Sequence, residues 1–148
     1  MKTQLLTKLN EFSSQLIEQI PYLKMLVLFG SRARGDTHAK SDWDFAALFD
    51  EESRKIHVAN NTWKLLEVPQ IIGEVFNLNS DQIDVVELNN CSHIITHFVA
   101  KDGKLIYEKE QGEFERFRQK ALKSEIEIKA IRKSLRQKVE ENLQRWGV

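Results

Sequence analysis

The sequence predicts an α/β (α+β) protein, a small β-sheet flanked by helices, with a long helix at the carboxyl end. Short apolar runs of strand length alternate with stretches in which apolar residues recur every three or four positions. With 148 residues, 41% of them hydrophobic and 30% charged, the chain has the size and composition of one globular domain. We assign residues 1–112 to its main unit and residues 113–148 to the terminal helix, which belongs to the same domain.

The first half of the chain is expected to form two helices and two strands. Pro21 ends the first helix, whose apolar side chains form one stripe. Met25–Phe29 is an uninterrupted apolar run, which is typical of a central strand buried on both faces. In chain order, the predicted elements are a helix at 3–20, a strand at 25–29, a short helix at 31–34, a polar loop at 35–40 and a strand at 43–49.

The middle of the chain is expected to add two helices and two strands. Asp50–Arg54 reads as a charged turn, Ser92 is a candidate helix cap, and Asp102–Gly103 is a turn signal. In chain order, the elements are a helix from about 54 to 73, a strand at 82–88, a helix from 92 to about 100 and a strand at 104–107. In the first of these helices Pro69 disfavours the last turn, and the side chains expected to face inward are Ile56, Ala59, Trp63, Leu66 and Ile71.

Beyond Gly112, apolar residues follow at steps of three and four nearly to the end, with no proline and no glycine before Gly147. This pattern predicts one helix of roughly 30 residues, about 45 Å long. A domain of this size has a radius of gyration of about 15 Å, so part of the stripe is expected to meet another chain. The alternative is that the helix folds back onto its own core.

The same segment is basic, although the whole chain is neutral. Residues 113–148 carry 10 Lys/Arg against 6 Asp/Glu, and the rest carries 12 against 16. The segment is either a solvated helix face or a dock for an acidic partner. A net charge of zero argues against a dedicated nucleic-acid binder.

Two aspartates, Asp42 and Asp44, stand two positions apart where the second strand begins. Since side chains alternate along a strand, both would point to one face, roughly 6.5–7 Å apart along the backbone. There they could converge on two divalent cations about 3.5–4 Å apart, which would clamp the oxygens of a displacement at phosphorus. Asp44 lies among apolar residues, where a cation would supply the missing countercharge.

Gly30 and Ser31 form a turn between the first strand and the short helix. Backbone N–H groups at a helix start can bind phosphate, and glycine allows the phosphate to come close. Ser31 can donate both its N–H and its hydroxyl. A plain helix cap is the alternative interpretation.

The ordered set Gly30–Ser31, Arg34–Gly35 and Ser41–Asp42–Trp43–Asp44 resembles the nucleotidyltransferase superfamily related to DNA polymerase beta. It is most similar to the minimal nucleotidyltransferases that serve as antitoxins beside HEPN ribonuclease toxins. The resemblance covers about residues 25–107 and implies the nucleotidyltransferase fold, with a small mixed sheet. Members use a third carboxylate on a later strand, and Asp84 matches it.

The resemblance implies that Asp42, Asp44 and Asp84 are the catalytic residues and the ligands of two Mg²⁺ ions, with Mn²⁺ as a substitute in vitro. Oxygen-only ligation by carboxylates and phosphates is what Mg²⁺ prefers. Asp42 and Asp44 would bind the metal that bridges the triphosphate, and all three would hold the second metal. Asp84 would lie nearest the attacking hydroxyl.

Four residues are candidates for ATP binding: Gly30, Ser31, Arg34 and Ser41. Arg34 and Arg32 could each contact phosphate or a partner, and Lys40 is equally ambiguous. Ser41 could instead shape the turn before the acids. Trp43, between the acids, is expected to face away from them into packing.

The function implied is transfer of AMP from ATP to a hydroxyl, that of a tyrosine, on a HEPN ribonuclease toxin, which neutralises the toxin in a hetero-oligomer. One alternative is the same chemistry on a small acceptor such as an aminoglycoside. Another is a non-catalytic antitoxin that acts by occlusion. The sequence leaves nucleotide preference, acceptor residue and stoichiometry open.

The remaining signals predict an ordinary cytoplasmic protein without a membrane span. No apolar stretch approaches the roughly 20 residues of a transmembrane helix. Cys91 is alone and cannot form an intramolecular disulfide, which suits a reducing compartment. His93 and His97 have a zinc-site spacing but lack the glutamate of a His-Glu-x-x-His motif, so we expect surface or core histidines.

Overall fold

The computed structural model describes residues 11–37, 41–59, 61–123 and 125–147. Lys40 and the first part of the helix predicted at 3–20 lie outside these residues. The helices are α1 (Ser13–Gln19), α2 (Ser31–Arg34), α3 (Glu51–Val58), α4 (Glu67–Phe76), α5 (His93–Asp102), α6 (Glu113–Ala121) and α7 (Glu125–Arg145). The strands are β1 (Leu23–Phe29), β2 (Trp43–Phe49), β3 (Ile83–Glu87) and β4 (Lys104–Glu108), and short 3₁₀ turns span Thr62–Leu66 and Ser80–Gln82.

The four strands form one mixed sheet in the order β3-β2-β1-β4. β1 runs antiparallel to both β2 and β4, whereas β2 and β3 are parallel. A parallel pair needs a long crossover, and α3 and α4 lie in the connection between β2 and β3. The prediction of a small mixed sheet flanked by helices, with a long helix at the carboxyl end, is confirmed.

Helices cover both faces of the sheet. Leu26 and Leu28 of β1 join a core cluster that includes residues of α4 and Leu16 of α1, while Met25 and Val27 pack with Val99 of α5. Phe114 and Phe117 of α6 close this second cluster. Because β1 is buried on both sides, its sequence reads as a continuous apolar run.

The helix predicted from 54 to 73 is divided into three pieces. Asp50 caps α3 by accepting a hydrogen bond from the Ser53 N–H (3.2 Å), so this helix begins before the predicted start. After α3, the Asn61 side chain accepts the Trp63 N–H (3.1 Å) and opens a 3₁₀ turn. This local cap interrupts the helical period on which the inward-facing prediction depended.

That prediction is wrong for four of the five side chains. Ile56, Trp63 and Leu66 are 79%, 76% and 68% exposed, and Ala59 is also exposed, whereas Ile71 is buried as expected. The doubt placed on the turn at Pro69 is wrong as well, because α4 continues to Phe76. Pro69 is the third residue of α4, where a backbone N–H has no partner within the helix.

The single helix predicted beyond Gly112 is in fact two helices, α6 and the 21-residue α7. Leu122 leaves the helical conformation (φ −66°, ψ 131°), and the Lys123 N–H donates to Nδ1 of His97 at 2.9 Å. A tertiary hydrogen bond therefore replaces a helical one at the break. His97 is 7% exposed, which agrees with a core histidine. None of the helices in the described ranges is long and apolar enough to cross a bilayer.

Candidate active site

Asp44 and Asp84 are neighbours at the start of the parallel strands β2 and β3. Their Cα atoms are register partners, and adjacent strands lie about 4.8 Å apart. Asp44 has the same parity along β2 as Ala46, which places it on the α5 side of the sheet. Asp42 stands two positions earlier, immediately before β2. The fold therefore brings three carboxylates to one end of the sheet.

The three carboxylates interact electrostatically. Partial burial, followed by the negative charges of Asp84 and Asp42, raises the pKa of Asp44, and the positive charge of Arg34 opposes this rise. Within the described residues, no cationic side chain lies within 4 Å of these carboxylates to form an ion pair. Among those residues the cluster therefore has no direct ion pair, and Arg34 acts on Asp44 only from a distance.

The cluster offers the carboxylate oxygens that Mg²⁺ prefers as ligands, although these oxygens do not converge on one point. Among the residues that the structure describes, no three His, Cys, Asp or Glu side chains form a ready-made metal site. Mutual repulsion between the carboxylates opposes such a site until a cation neutralises it.

Gly30 lies against this cluster. Its backbone has φ 73° and ψ −157°, and a Cβ built on it would lie 2.4 Å from Oδ2 of Asp44. Only glycine fits both the conformation and the space. Gly30 is also the cap residue of α2, and Ser31 is the first residue of that helix rather than its cap. The fold thus places the glycine-serine turn beside the acids.

Arg34 lies at the edge of the same site. Its guanidinium group contacts Asp36 through Nε at 3.2 Å and Asp102 through Nη1 at 3.7 Å. The side chain is 46% exposed, so one face of it is open to solvent. Sequence reasoning did not find Asp102, because the pair Asp102–Gly103 was interpreted only as a turn.

Arg32 braces the loop that leads to the acids. Its Nη2 donates to the carbonyl oxygen of Ser41 at 2.8 Å, and its guanidinium lies 4.3 Å from the centre of the Trp43 ring. Ser41 is buried, and this position favours the turn-shaping interpretation. Trp43 is 8% exposed and packs in the core, as predicted.

Comparison with known proteins identifies the fold that carries this site. The family model for "Polymerase beta, Nucleotidyltransferase" matches residues 11–112. This chain belongs to that nucleotidyltransferase family. The resemblance inferred from the glycine-serine turn and the aspartates is confirmed.

The nucleotidyltransferase is a homologue of curated proteins with a stated activity. It is 52% identical over 147 residues to the protein adenylyltransferase MntA of Aphanizomenon flos-aquae (strain 2012/KM1/D3), covering 99% of this chain and 98% of the relative. It is 26% identical over 104 residues to the protein adenylyltransferase MntA of Shewanella oneidensis, covering 70% and 68%.

Solved structures share the nucleotidyltransferase fold. A crystal structure of a toxin-antitoxin with AMP-PNP matches with a TM-score of 0.55 and 24% identity, covering 91% of this chain and 98% of that one. A structure of tri-AMPylated Shewanella oneidensis HEPN toxin in complex with MNT antitoxin matches with a TM-score of 0.51 and 22% identity, covering 97% and 99%.

Proposed function

We propose that this nucleotidyltransferase is an antitoxin that transfers AMP from ATP to a tyrosine hydroxyl of a HEPN ribonuclease toxin and thereby silences it. The observation that carries the proposal is the cluster of Asp42, Asp44 and Asp84 beside Gly30. Near-full-length similarity to a protein adenylyltransferase supports a protein acceptor. The cytoplasm, which holds both ATP and the RNA that such a toxin would cut, is the compartment we assign.

In this proposal the three aspartates hold Mg²⁺ and the glycine-serine turn holds phosphate. Bound Mg²⁺ would neutralise the triphosphate and lower the pKa of the attacking hydroxyl. The backbone N–H and hydroxyl of Ser31 would donate to phosphate oxygens, and Gly30 would let them approach. Arg34, whose charge already acts on Asp44, would add a positive charge at the phosphates.

Asp84 would serve the acceptor side, because it comes from the neighbouring strand and is exposed. A carboxylate oxygen of Asp84 would accept the hydroxyl proton while the hydroxyl oxygen bonds to the α-phosphorus. The bond between the α-phosphorus and the bridging oxygen would break, and pyrophosphate would leave. Asp84→Asn should therefore lower kcat more than it weakens ATP binding.

The distal part of α7 is the surface that we assign to the toxin. Leu135, Val139 and Leu143 are about half exposed, and Trp146, just beyond the end of α7, is 79% exposed. Among the described residues they form an apolar stripe that the fold leaves open to solvent. A helical face of the toxin is the occupant that fits, because apolar helical stripes pack against one another. Removing residues 133–148 would spare the buried Ile128 and should weaken toxin capture while the domain stays folded.

The proposal is tested by incubating the purified protein with ATP, Mg²⁺ and the product of the neighbouring gene, which we expect to be the HEPN protein, and then measuring the mass of both proteins. We expect one or more AMP groups on a tyrosine of the HEPN protein. Transfer to an aminoglycoside in the absence of that protein would favour the small-acceptor alternative. Full protection of cells by an Asp42→Ala/Asp44→Ala variant would favour neutralisation by occlusion.

A further inference from the structure

We propose that a groove at the root of α7 binds an acidic segment of the acceptor polypeptide and guides it to the three aspartates. This inference rests on the proposed function and names the feature of the acceptor that the enzyme would recognise. The groove has a volume of about 600 Å³ and lies between α5, the break after α6 and the first turns of α7. We call it the basic groove.

The basic groove exists because the carboxyl-terminal helix is broken. The hydrogen bond from the Lys123 N–H to His97 Nδ1 (2.9 Å) fixes the break against α5. Ile128, one turn into α7, is buried and lines the groove. A continuous helix from 113 onward would lack this concave junction.

The polar lining of the groove is strongly cationic. It carries one acid, Glu125, against the four cations Lys101, Lys123, Lys129 and Arg132. Within the described ranges, none of the four forms an ion pair with a carboxylate. In a chain with a net charge of zero, this local excess of positive charge would attract and orient a negatively charged partner.

The groove also has apolar walls, which favour a peptide over RNA. Phe98, Leu122 and Ile128 lie among the cations, and Leu122 is 43% exposed. The Arg132 guanidinium lies 5.7 Å from the centre of the Phe98 ring, so charge and aromatic surface are presented together. A segment that combines Asp or Glu with one apolar side chain would use both kinds of surface.

The position of the groove connects it with the catalytic cluster. Lys101, which lines the groove, is followed directly by Asp102, which contacts Arg34 at 3.7 Å. Arg34 belongs to α2, and the cap residue of that helix, Gly30, lies against Oδ2 of Asp44. An acceptor segment in the groove would therefore lie beside the edge of the site where Arg34 stands.

The experiment measures AMP transfer from labelled ATP to the purified HEPN protein, with the full-length chain and a Lys129→Glu/Arg132→Glu variant. We expect the KM for the HEPN protein to rise about tenfold or more, with the kcat and the KM for ATP within about twofold of wild type. The matched control, Lys55→Glu/Lys120→Glu, makes the same charge change at exposed lysines outside the groove. It should leave all three parameters within about twofold.

Each other outcome has a defined meaning. An unchanged KM for the HEPN protein, or an equal rise in the control, would overturn the groove proposal alone. A rise in the KM for ATP would assign the groove to the nucleotide and also overturn it. If the double variant loses binding of a labelled 20-nucleotide single-stranded RNA but transfers AMP normally, the groove binds RNA rather than the acceptor, and the groove proposal is overturned. Absence of transfer by the wild-type protein would overturn the proposed function itself.

Discussion

The two ends of the parallel pair β2–β3 differ in whether their carboxylates form ion pairs. At one end Asp44 and Asp84 face each other, and the structure gives them no cationic partner among the described residues. At the other end Glu87 accepts a hydrogen bond from Arg54 at 2.6 Å. Arg54 also lies 4.7 Å from the centre of the Phe49 ring. The carboxylate at one end of the two strands is therefore paired with a guanidinium group, whereas the two carboxylates at the opposite end face each other without an ion pair.

One other carboxylate near this end, that of Glu67, also has close hydrogen-bonding partners. Glu67 accepts the Tyr22 hydroxyl at 3.0 Å, and Nε2 of His57 lies 3.0 Å from the same oxygen. Burial and then this hydrogen bond raise the pKa of Tyr22 well above its ordinary value. The part-buried acids Glu67 and Glu87 thus have close partners within the chain, whereas Asp44 and Asp84 form no ion pair among the described residues. A ligand that brings positive charge best explains this difference.

The largest effect should come from Asp44→Asn. Loss of a proposed metal-binding carboxylate should lower AMP transfer roughly 10²–10³-fold or more. The melting temperature should stay the same or rise, because a repulsive charge is removed. Kinetics and thermal melting of the purified variant test this, with the exposed Asp81→Asn as control. Normal transfer by Asp44→Asn would contradict the proposed role of the cluster.

Gly30→Ala should damage both stability and activity. The unusual backbone costs about 1–3 kcal/mol for a residue with a side chain, and the new Cβ would collide with Oδ2 of Asp44. Gly112→Ala is the matched control, because its φ is also positive (88°) but its nearest neighbour is the flexible Arg116 side chain at 3.3 Å. Denaturant unfolding and transfer assays should show that only Gly30→Ala loses transfer. Equal loss in both variants would count against the close contact with Asp44.

At the far end of β3, Glu87→Gln should lower stability but not AMP transfer, which is the opposite of the effect expected for Asp44→Asn. Arg54 is only 11% exposed and would keep only its longer contact with the Glu51 carboxylate, at 3.9 Å. Loss of the short ion pair should lower the free energy of unfolding by about 1–3 kcal/mol. AMP transfer at a temperature where the variant is folded should be unchanged. If this variant lost transfer while remaining stable, the two ends of the strands would not be functionally separate.

The smallest effect concerns the pH dependence of Glu108. Hydrogen bonds from the N–H groups of Phe114 and Gly112, both 3.0 Å, lower the pKa of this carboxyl. The folded state then binds fewer protons than the unfolded state, so the stabilisation is present above the ordinary pKa of glutamate and is lost as pH falls through the lowered one. Glu108→Gln should cost about 0.5–1 kcal/mol at pH 7. Unfolding curves at pH 7 and below pH ~4 should show a smaller difference in the free energy of unfolding between wild type and Glu108→Gln at the lower pH. A constant difference would argue that the two hydrogen bonds do not depend on the charge of Glu108.

Much of the sheet could be predicted from the sequence because its signals are local. The bounds of β2 agree with the prediction, β1 begins two residues before its predicted start, and β3 is one residue shorter at each end. The glycine-serine turn and the aspartates were recognised from their spacing, and the fold brings Gly30, Asp44 and Asp84 together. The catalytic and binding roles of these residues stay predictions.

What could not be predicted depends on contacts between distant residues. The break after α6 requires His97 to accept a hydrogen bond from Lys123, which lies 26 positions away. The contact between Arg34 and Asp102 likewise joins two turns that no sequence period connects. In the α3–α4 region the competing signal was local, since the Asn61 cap ended the periodic pattern.

The register of β2 and β3 determines which insertions and deletions would keep Asp44 and Asp84 adjacent. Asp44 and Asp84 are adjacent across the pair although they lie far apart in sequence. Insertions into the surface connection between the strands would lengthen the chain at a small entropic cost and leave the two acids side by side. Deleting one residue within β3 ahead of Asp84 would turn its carboxylate toward the opposite face, where α1 and α4 pack. Functional relatives should therefore vary in the length of this connection while the pairing of the two strands stays fixed.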